Sequence, residues 1–297
     1  MPGNELERLF LDKIGQPIAT KNEHSTMNSL TEIPATTLTR LSQSQLNLLE
    51  TCPRKFQHIY FDQLGSPISP EQQEKQNWGS RFHLIMQQRE LGLPVESLIQ
   101  EDAQLQSCVT ALFSSAPEIF RAIPGTFREA EHCRTLNFQG YLLTVIYDLL
   151  IEEPQGYQIL DWKTYPKPKT RQHLEHDWQT RLYLYVLAET SDYLPEQISM
   201  TYWFVQSQPE PQSLKFNYNS TQHEQTRRDL SRLVTQLTGW LRRYEQTGAN
   251  FPQVAEDSRY CGNCSFAVRC DRDREAAAEA VNLNLLSTLD NIQEVSL

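Results

Sequence analysis

Apolar positions in this chain fall first at helical spacing and then in extended runs. Leu46, Leu48 and Leu49 form an apolar face behind Ser42, and Gln45, three residues after that serine, completes the signature of a capping box. Pro53 ends or restarts this helix, after which Phe56, Ile59 and Tyr60 continue the stripe. Gly65 to Pro70 reads as a loop, and Trp78, Phe82 and Ile85 give the next helix its face. Residues 92–124 predict a helical insertion. Extended segments follow at Phe127–Leu136, Tyr141–Ile151 and Tyr157–Lys163. Trp178, Leu182, Tyr185 and Val186 restore helical spacing and predict one amphipathic helix over 174–189. Beyond it come a strand at Ile198–Gln206, an edge strand at Lys215–Tyr218 and a long helix over 221–246. Strands mingled with helices predict an α/β fold, a mixed central sheet flanked by helices on both faces. A polar segment rich in Ser, Thr and Asn, residues 1–37, precedes the main domain over 38–274. An Ala-rich turn and acidic tail, 275–297, follow it.

Two acidic residues interrupt the extended runs. Asp161 ends the second run and Asp148 lies inside the first, and the two runs join through Glu153-Pro154-Gln155-Gly156, which has turn chemistry. A hairpin symmetric about Pro154-Gln155 places Asp148 opposite Asp161. Alternation then puts Lys163 on the face of Asp161 and turns Trp162 away. Leu142, Leu143, Val145, Ile146, Leu149, Leu150 and Ile151 surround Asp148 without clean alternation, which predicts a strand covered on both faces. Facing carboxylates repel, and among apolar neighbours each costs several kcal/mol. A divalent cation between them removes the conflict. The competing reading of each Asp is a solvated strand-end residue.

Composition narrows the setting. The chain has 297 residues, enough for one large domain or two small ones. No apolar stretch approaches the roughly 18 residues of a membrane span, and Met1 to Phe10, with Glu5, Glu7 and Arg8, does not resemble a secretory signal. A reducing, cytoplasmic location is expected. The net charge of −10 argues against broad coating of nucleic acid and leaves only a local basic groove. Lys167, Lys169 and Arg171, with Tyr165 beside them, are candidates for tracking phosphates and stacking a base, or else a solvated loop.

Of six cysteines, Cys261, Cys264 and Cys270 form a C-x2-C-x5-C cluster, and Cys52 is the best fourth ligand. A metal so held staples the N-terminal helices (42–60) to the C-terminal loop (260–270). Four thiolates suit zinc or an iron–sulfur cluster, and spacing does not separate them. The alternative is that these are small buried apolar residues, the reading that fits Cys108 and Cys133 better.

Five segments together resemble a known family. Leu41-Ser42 through Leu49, then Cys52-Pro53-Arg54-Lys55-Phe56 and Tyr60, is similar to the opening motif of RecB-type nucleases of the PD-(D/E)XK superfamily. Gly79-Ser80-Arg81-Phe82-His83 resembles their G-x-x-x-H helix, and Asp148 with Asp161-Trp162-Lys163-Thr164 resembles their acidic core. Gln179-Thr180-Arg181-Leu182-Tyr183 resembles the Q-x-x-x-Y helix. The four cysteines sit where iron–sulfur members, including the CRISPR-adaptation nucleases and the AddB-type repair subunit, place their ligands. The resemblance spans Leu38 to Cys270 in order. It implies a restriction-endonuclease-like core that hydrolyses DNA with Mg2+ or Mn2+, as an exonuclease on ends or single strands in repair, recombination or CRISPR adaptation. It also implies a [4Fe–4S] cluster on Cys52, Cys261, Cys264 and Cys270. Asp148, Asp161 and His83 would hold the cation, with Glu131 a possible extra ligand. Lys163 would act on the attacking water, and Gln179 and Tyr183 would position the backbone or the lysine. The runner-up is a catalytically idle DNA-binding scaffold for a helicase or adaptation-complex partner; a third reading is a zinc-stapled domain of unrelated function.

Overall fold

Two tight turns fold the middle of the chain into three adjacent antiparallel strands. Strands β2 (Arg128–Phe138) and β3 (Tyr141–Glu153) are joined by Gln139-Gly140, whose φ values of 51° and 85° are the paired positive angles that a twist-matched two-residue hairpin requires. Strands β3 and β4 (Gly156–Lys163) are joined by Pro154-Gln155. A Cβ at Gly156 would stand 1.7 Å from the carbonyl oxygen of Gln197, so only glycine fits there. This computed structural model describes residues 39–65, 69–100, 102–121, 125–165, 170–256 and 258–272; the predicted lead-in and acidic tail lie outside them.

The sheet has six strands in the order β1-β3-β4-β5-β6, with β2 also paired to β3. Strand β1 (Thr39–Leu41) runs parallel to the start of β3, pairing Thr39 with Tyr141 and Leu41 with Leu143. Since β2 pairs with β3 from Phe138↔Tyr141 to Arg128↔Ile151, β1 and β4 must share the other edge of β3. The β3–β4 ladder runs from Glu153↔Gly156 to Leu149↔Leu160. Between the two partners the sheet is forked, and Asp148 lies at the fork. Strand β5 (Ile198–Phe204) lies parallel to β4, and β6 (Gln212–Asn217) closes that side antiparallel to β5.

Both faces of the sheet are covered. One core gathers Leu46 and Leu49 of α1 (Gln43–Thr51), Phe56 of α2 (Pro53–Tyr60), Leu182 and Val186 of α7 (Trp178–Glu189) and Leu230, Leu233 and Leu237 of α8 (Ser220–Thr247). The other gathers Phe82 and Ile85 of α3 (Pro70–Glu90) with Leu105, Val109 and Leu112 of α5 (Ala103–Ser115). The insertion is helical, comprising α5 and the short α4 (Glu96–Ile99). Every residue of β5 is buried, because its alternate side chains enter the two cores. The predicted capping box forms at α1, where the Ser42 N–H donates to Gln45 Oε1 at 2.8 Å. No helix among the described residues is long and apolar enough to cross a membrane.

Three local expectations are corrected. The helix expected over 174–189 is two helices, α6 (Arg171–His176) and α7, because Asp177 takes an extended conformation and caps α7 by accepting from Gln179 N–H at 2.9 Å. The first half of β3 does alternate: Leu143, Val145 and Tyr147 are buried while Ile146 is exposed, and double coverage begins only at Leu149. Strand β1 was not expected, being three residues with one buried position, too short to show a period.

Candidate active site

The site grows out of the fork. Asp148 and Asp161 are one position beyond the last β3–β4 pair, in the facing register that hairpin symmetry predicts. The strands are joined there by a side chain: Asp148 Oδ2 accepts from Trp162 N–H at 2.6 Å. Across β2, the ladder skips from Ala130↔Leu149 to His132↔Tyr147, leaving Glu131 beside Asp148 with φ at 52°. A left-handed non-glycine residue inside a strand costs about 1–3 kcal/mol, and such strain collects at functional sites. Alternation breaks at the same point. Val145 and Tyr147 enter the α1/α7/α8 core, whereas Leu149 enters the other and Leu150 returns to the first. The break turns Asp148 toward helix α3.

Asp161, 2 % exposed, is gripped from its own strand and from α7. Its Oδ1 lies 2.5 Å from Lys163 Nζ, and its Oδ2 accepts from Gln179 Nε2 at 2.6 Å. Lys163 Nζ in turn donates to Gln179 Oε1 at 2.6 Å, so one amide fixes both charged groups. Lys163 also lies over the Tyr202 ring, 4.9 Å from its centroid, while Trp162 points into the opposite core beside Phe120. Burial pushes the Asp161 carboxyl up, with the Lys163 charge opposing and Asp148 adding to the rise. For Lys163, burial works against the ammonium, but Asp161 outweighs it and holds the group above its ordinary value. Tyr183 is buried one turn along α7 from Gln179. Its hydroxyl is pushed well up by burial and by Asp161 and Asp148, against a hydrogen bond to Gln179, so it stays a neutral phenol.

From the other side α3 delivers His83. Its Nδ1 lies 3.3 Å from Asp148 Oδ1 and 3.9 Å from Glu131 Oε1. Ligand atoms of His83, Glu131 and Asp148 all lie within 4.8 Å of one another, the spacing of a cation site. Gly79, one turn earlier, lets the helix approach, since a Cβ there would meet Thr164 Oγ1 at 2.9 Å. Burial opposes a charge on His83, yet Asp148, Asp161 and Glu131 together raise its pKa to about 9. Burial, then Asp148, raises Glu131 to about 7 against the pull of His83. Three carboxylates, Glu131, Asp148 and Asp161, share two cationic partners here, His83 and Lys163. The buried Asp161 Oδ1 has the Lys163 charge nearby but no aligned hydrogen-bond donor. Carboxylate oxygens and one imidazole at this spacing could hold a divalent metal ion. The close trio brings in Glu131, the lesser candidate in the sequence, and does not include Asp161, which stands beside it.

The four sequence-predicted cysteines converge elsewhere. Cys52, Cys261, Cys264 and Cys270 line one cavity of about 410 Å³ between α1, the start of α2 and the C-terminal loop. Cys52 Sγ accepts from Lys55 N–H at 3.5 Å, at the N-terminus of α2. Burial pushes the Cys270 thiol up, Arg54 opposes, and Cys52, Cys264 and Cys261 reinforce it. Among the described residues, the ligand groups that close to within 4.8 Å do not include these sulfurs. Cys108 is buried in the α5 core, and Cys133 is exposed, apart from the four. Of the basic loop, Lys167 and Lys169 lie outside the described residues. Arg171 is held by β6, donating to the Lys215 carbonyl at 3.0 Å and stacking on Phe216, and Tyr165 packs on Phe204.

Residues 40–271 match the family model of the PD-(D/E)XK nuclease superfamily. No curated protein matches the chain. Among solved structures it is similar to SSO0001, with 13 % identity, TM-score 0.35 and coverage of 82 % of this chain and 88 % of that one. It is also similar to the "Putative exonuclease" of Eubacterium rectale, with 9 % identity, TM-score 0.45 and coverage of 79 % and 93 %. The mixed sheet, its helical layers and the match over nearly the whole described domain make the chain a member of the PD-(D/E)XK nuclease superfamily.

Proposed function

We propose that the protein is a Mg2+- or Mn2+-dependent deoxyribonuclease that hydrolyses phosphodiester bonds, acting on DNA ends or single strands. Superfamily membership implies a metal-dependent nuclease. The observation that carries the finer reading is the single Gln179 amide joining Asp161 to Lys163, directly beside the His83–Glu131–Asp148 trio. Asp148, Glu131 and His83, with Asp161 beside them, would hold the cation, which when bound polarises the phosphate and lowers the pKa of water. Lys163 orients the attacking water and offsets developing phosphate charge, with its ammonium kept in place by Asp161 and Gln179. Tyr183 fixes Gln179 and excludes solvent. A catalytically idle scaffold would have no need to keep this set intact.

For the cysteines, the same reading includes a [4Fe–4S] cluster. A tetrahedral zinc with Zn–S bonds of about 2.3 Å would bring sulfurs to within about 3.8 Å of each other. No three of these sulfurs lie within 4.8 Å of one another, and the four line one cavity. The test is digestion of linear and circular single- and double-stranded DNA with Mn2+, beside EDTA and Asp161→Ala controls, with iron and zinc measured on anaerobic protein. Cleavage of linear substrates lost with EDTA and in Asp161→Ala is expected. Cutting of closed circles overturns the end requirement, and binding without any cleavage leaves the scaffold.

A further inference from the structure

Helix α2 also carries a histidine to the sulfur of Cys270. His58 is 4 % exposed, six residues after Cys52, and both of its ring nitrogens are engaged. Its Nδ1 lies 2.7 Å from Asp62 Oδ2, and its Nε2 lies 3.8 Å from Cys270 Sγ. Phe266, from the C-terminal loop, packs against the ring at 5.1 Å between centroids. Asp62 is fixed in turn: Gln57 Nε2 reaches it at 3.4 Å and the Tyr244 hydroxyl at 3.5 Å. Gln57 is itself tied to Asn250 and accepts from Phe251 N–H at 2.7 Å. The imidazole is therefore aimed by three layers of contacts, and its aim is a cysteine sulfur.

We propose that His58, oriented by Asp62, hydrogen-bonds the Cys270 sulfur and raises the reduction potential of the cluster held by the four cysteines. The inference rests on reading those cysteines as cluster ligands. A buried histidine serving packing alone would be satisfied by Asp62; here the second nitrogen is given to a ligand atom. Hydrogen bonds to ligating sulfurs are among the levers that set iron–sulfur potentials. With Asp62 accepting the Nδ1–H, Nε2 donates to a ligating thiolate only from the doubly protonated ring, so the proposed donor is the imidazolium paired with Asp62. It offsets negative charge on the sulfur, and the offset is worth more after an electron is added, so the reduced form gains. Asp62 and Phe266 orient the ring as partners outside the ligand set commonly do, which makes His58 a positioning and tuning residue.

The experiment compares anaerobic wild-type protein with His58→Leu, His58→Gln and Asp62→Asn. Iron content is measured first, followed by a redox titration monitored by EPR. With iron retained, His58→Leu should lower the reduced-to-oxidised ratio about tenfold at the wild-type midpoint, a shift of about −59 mV for a one-electron couple. Asp62→Asn should shift it in the same direction by less, and His58→Gln, which keeps an N–H, should recover part of the loss. Iron lost in His58→Leu but kept in His58→Gln also supports the hydrogen bond. An unchanged midpoint in iron-replete His58→Leu overturns the proposal, as does equal iron loss in the Leu and Gln variants. A wild-type protein that holds zinc overturns the cluster reading itself.

Discussion

Removing the divalent cation should make the stability of this protein fall as pH rises, the reverse of ordinary acid denaturation. Glu131 is raised from 4.5 to about 7 and His83 from 6.5 to about 9. Between its two values Glu131 binds more protons folded than unfolded, so stability declines as pH climbs from 4.5 through 7. The His83 contribution is whole below 6.5 and is lost as pH rises through about 9. Asp161, pushed up by burial, acts in the same sense as Glu131.

Each of the two larger differences corresponds to about 3 kcal/mol at full strength, at 1.36 kcal/mol per pH unit. The side chains are 30 % and 27 % exposed, so solvent screening cuts this to about 2 kcal/mol each. Both lean on Asp148 and do not add fully. A net loss of about 3 kcal/mol from about pH 5 to pH 9 is expected in EDTA. A bound cation takes the place of the protons, so Mn2+ should stabilise more as pH rises, by up to about 1.4 kcal/mol per pH unit for each proton released. Urea unfolding with EDTA and with Mn2+ across this window measures both. Glu131→Gln should flatten the lower half of the metal-free curve. A metal-free stability that climbs with pH, or a Mn2+ increment equal at both ends, would refute the reasoning.

Lys163→Met, which keeps the packing on Tyr202, should bind Mn2+ by EPR but lose about 10²-fold or more in turnover; full loss of Mn2+ binding would misplace the lysine. Gly79→Ala presses a Cβ on Thr164 Oγ1 beside the catalytic strand and should cost about 1–3 kcal/mol with reduced cleavage, measured by urea unfolding and digestion. Thr164→Ala in the same chain should restore most of both. Gly156→Ala drives a Cβ into a backbone carbonyl and should destabilise by about 3 kcal/mol or more in a thermal melt, far beyond a surface turn substitution.

Much of this site was legible because hairpin arithmetic is exact in count. Symmetry about Pro154-Gln155 put Asp148 across from Asp161, and the register agrees. The same arithmetic about Gln139-Gly140 places Glu131 opposite Asp148, a signal present in the sequence that would have raised Glu131 from a lesser candidate to a member of the trio. What alternation could not foretell is the switch of face at Asp148 and Glu131. It depends on a left-handed residue and on a side chain standing in for a ladder bond, neither of which leaves a periodic trace. Asp177 was hidden for a related reason. An acid inside an apolar helical period looks like an exposed position until a partner helix supplies Asn47.

That last contact ties the two halves of the site chemistry together. Helix α1 ends at Cys52, on the wall of the cysteine cavity. One turn or so back, Asn47 donates to Asp177 Oδ1 at 3.0 Å and accepts from Trp178 N–H at 3.2 Å, while Glu50 accepts from the Trp178 indole at 2.8 Å. These bonds fix the first turn of α7, and that turn presents Gln179, the amide that aligns Asp161 with Lys163. The helix anchored by the cysteine lobe is thus the helix that sets the angle at which α7 meets the sheet. A metal stapling Cys52 to the C-terminal loop would close a long segment of chain, and its binding free energy would appear as folding free energy. Part of that stabilisation would act where α1 grips α7. On this geometry a metal centre held there would need no role in the chemistry to matter for it, because holding Gln179 within a few tenths of an ångström would itself be a catalytic demand.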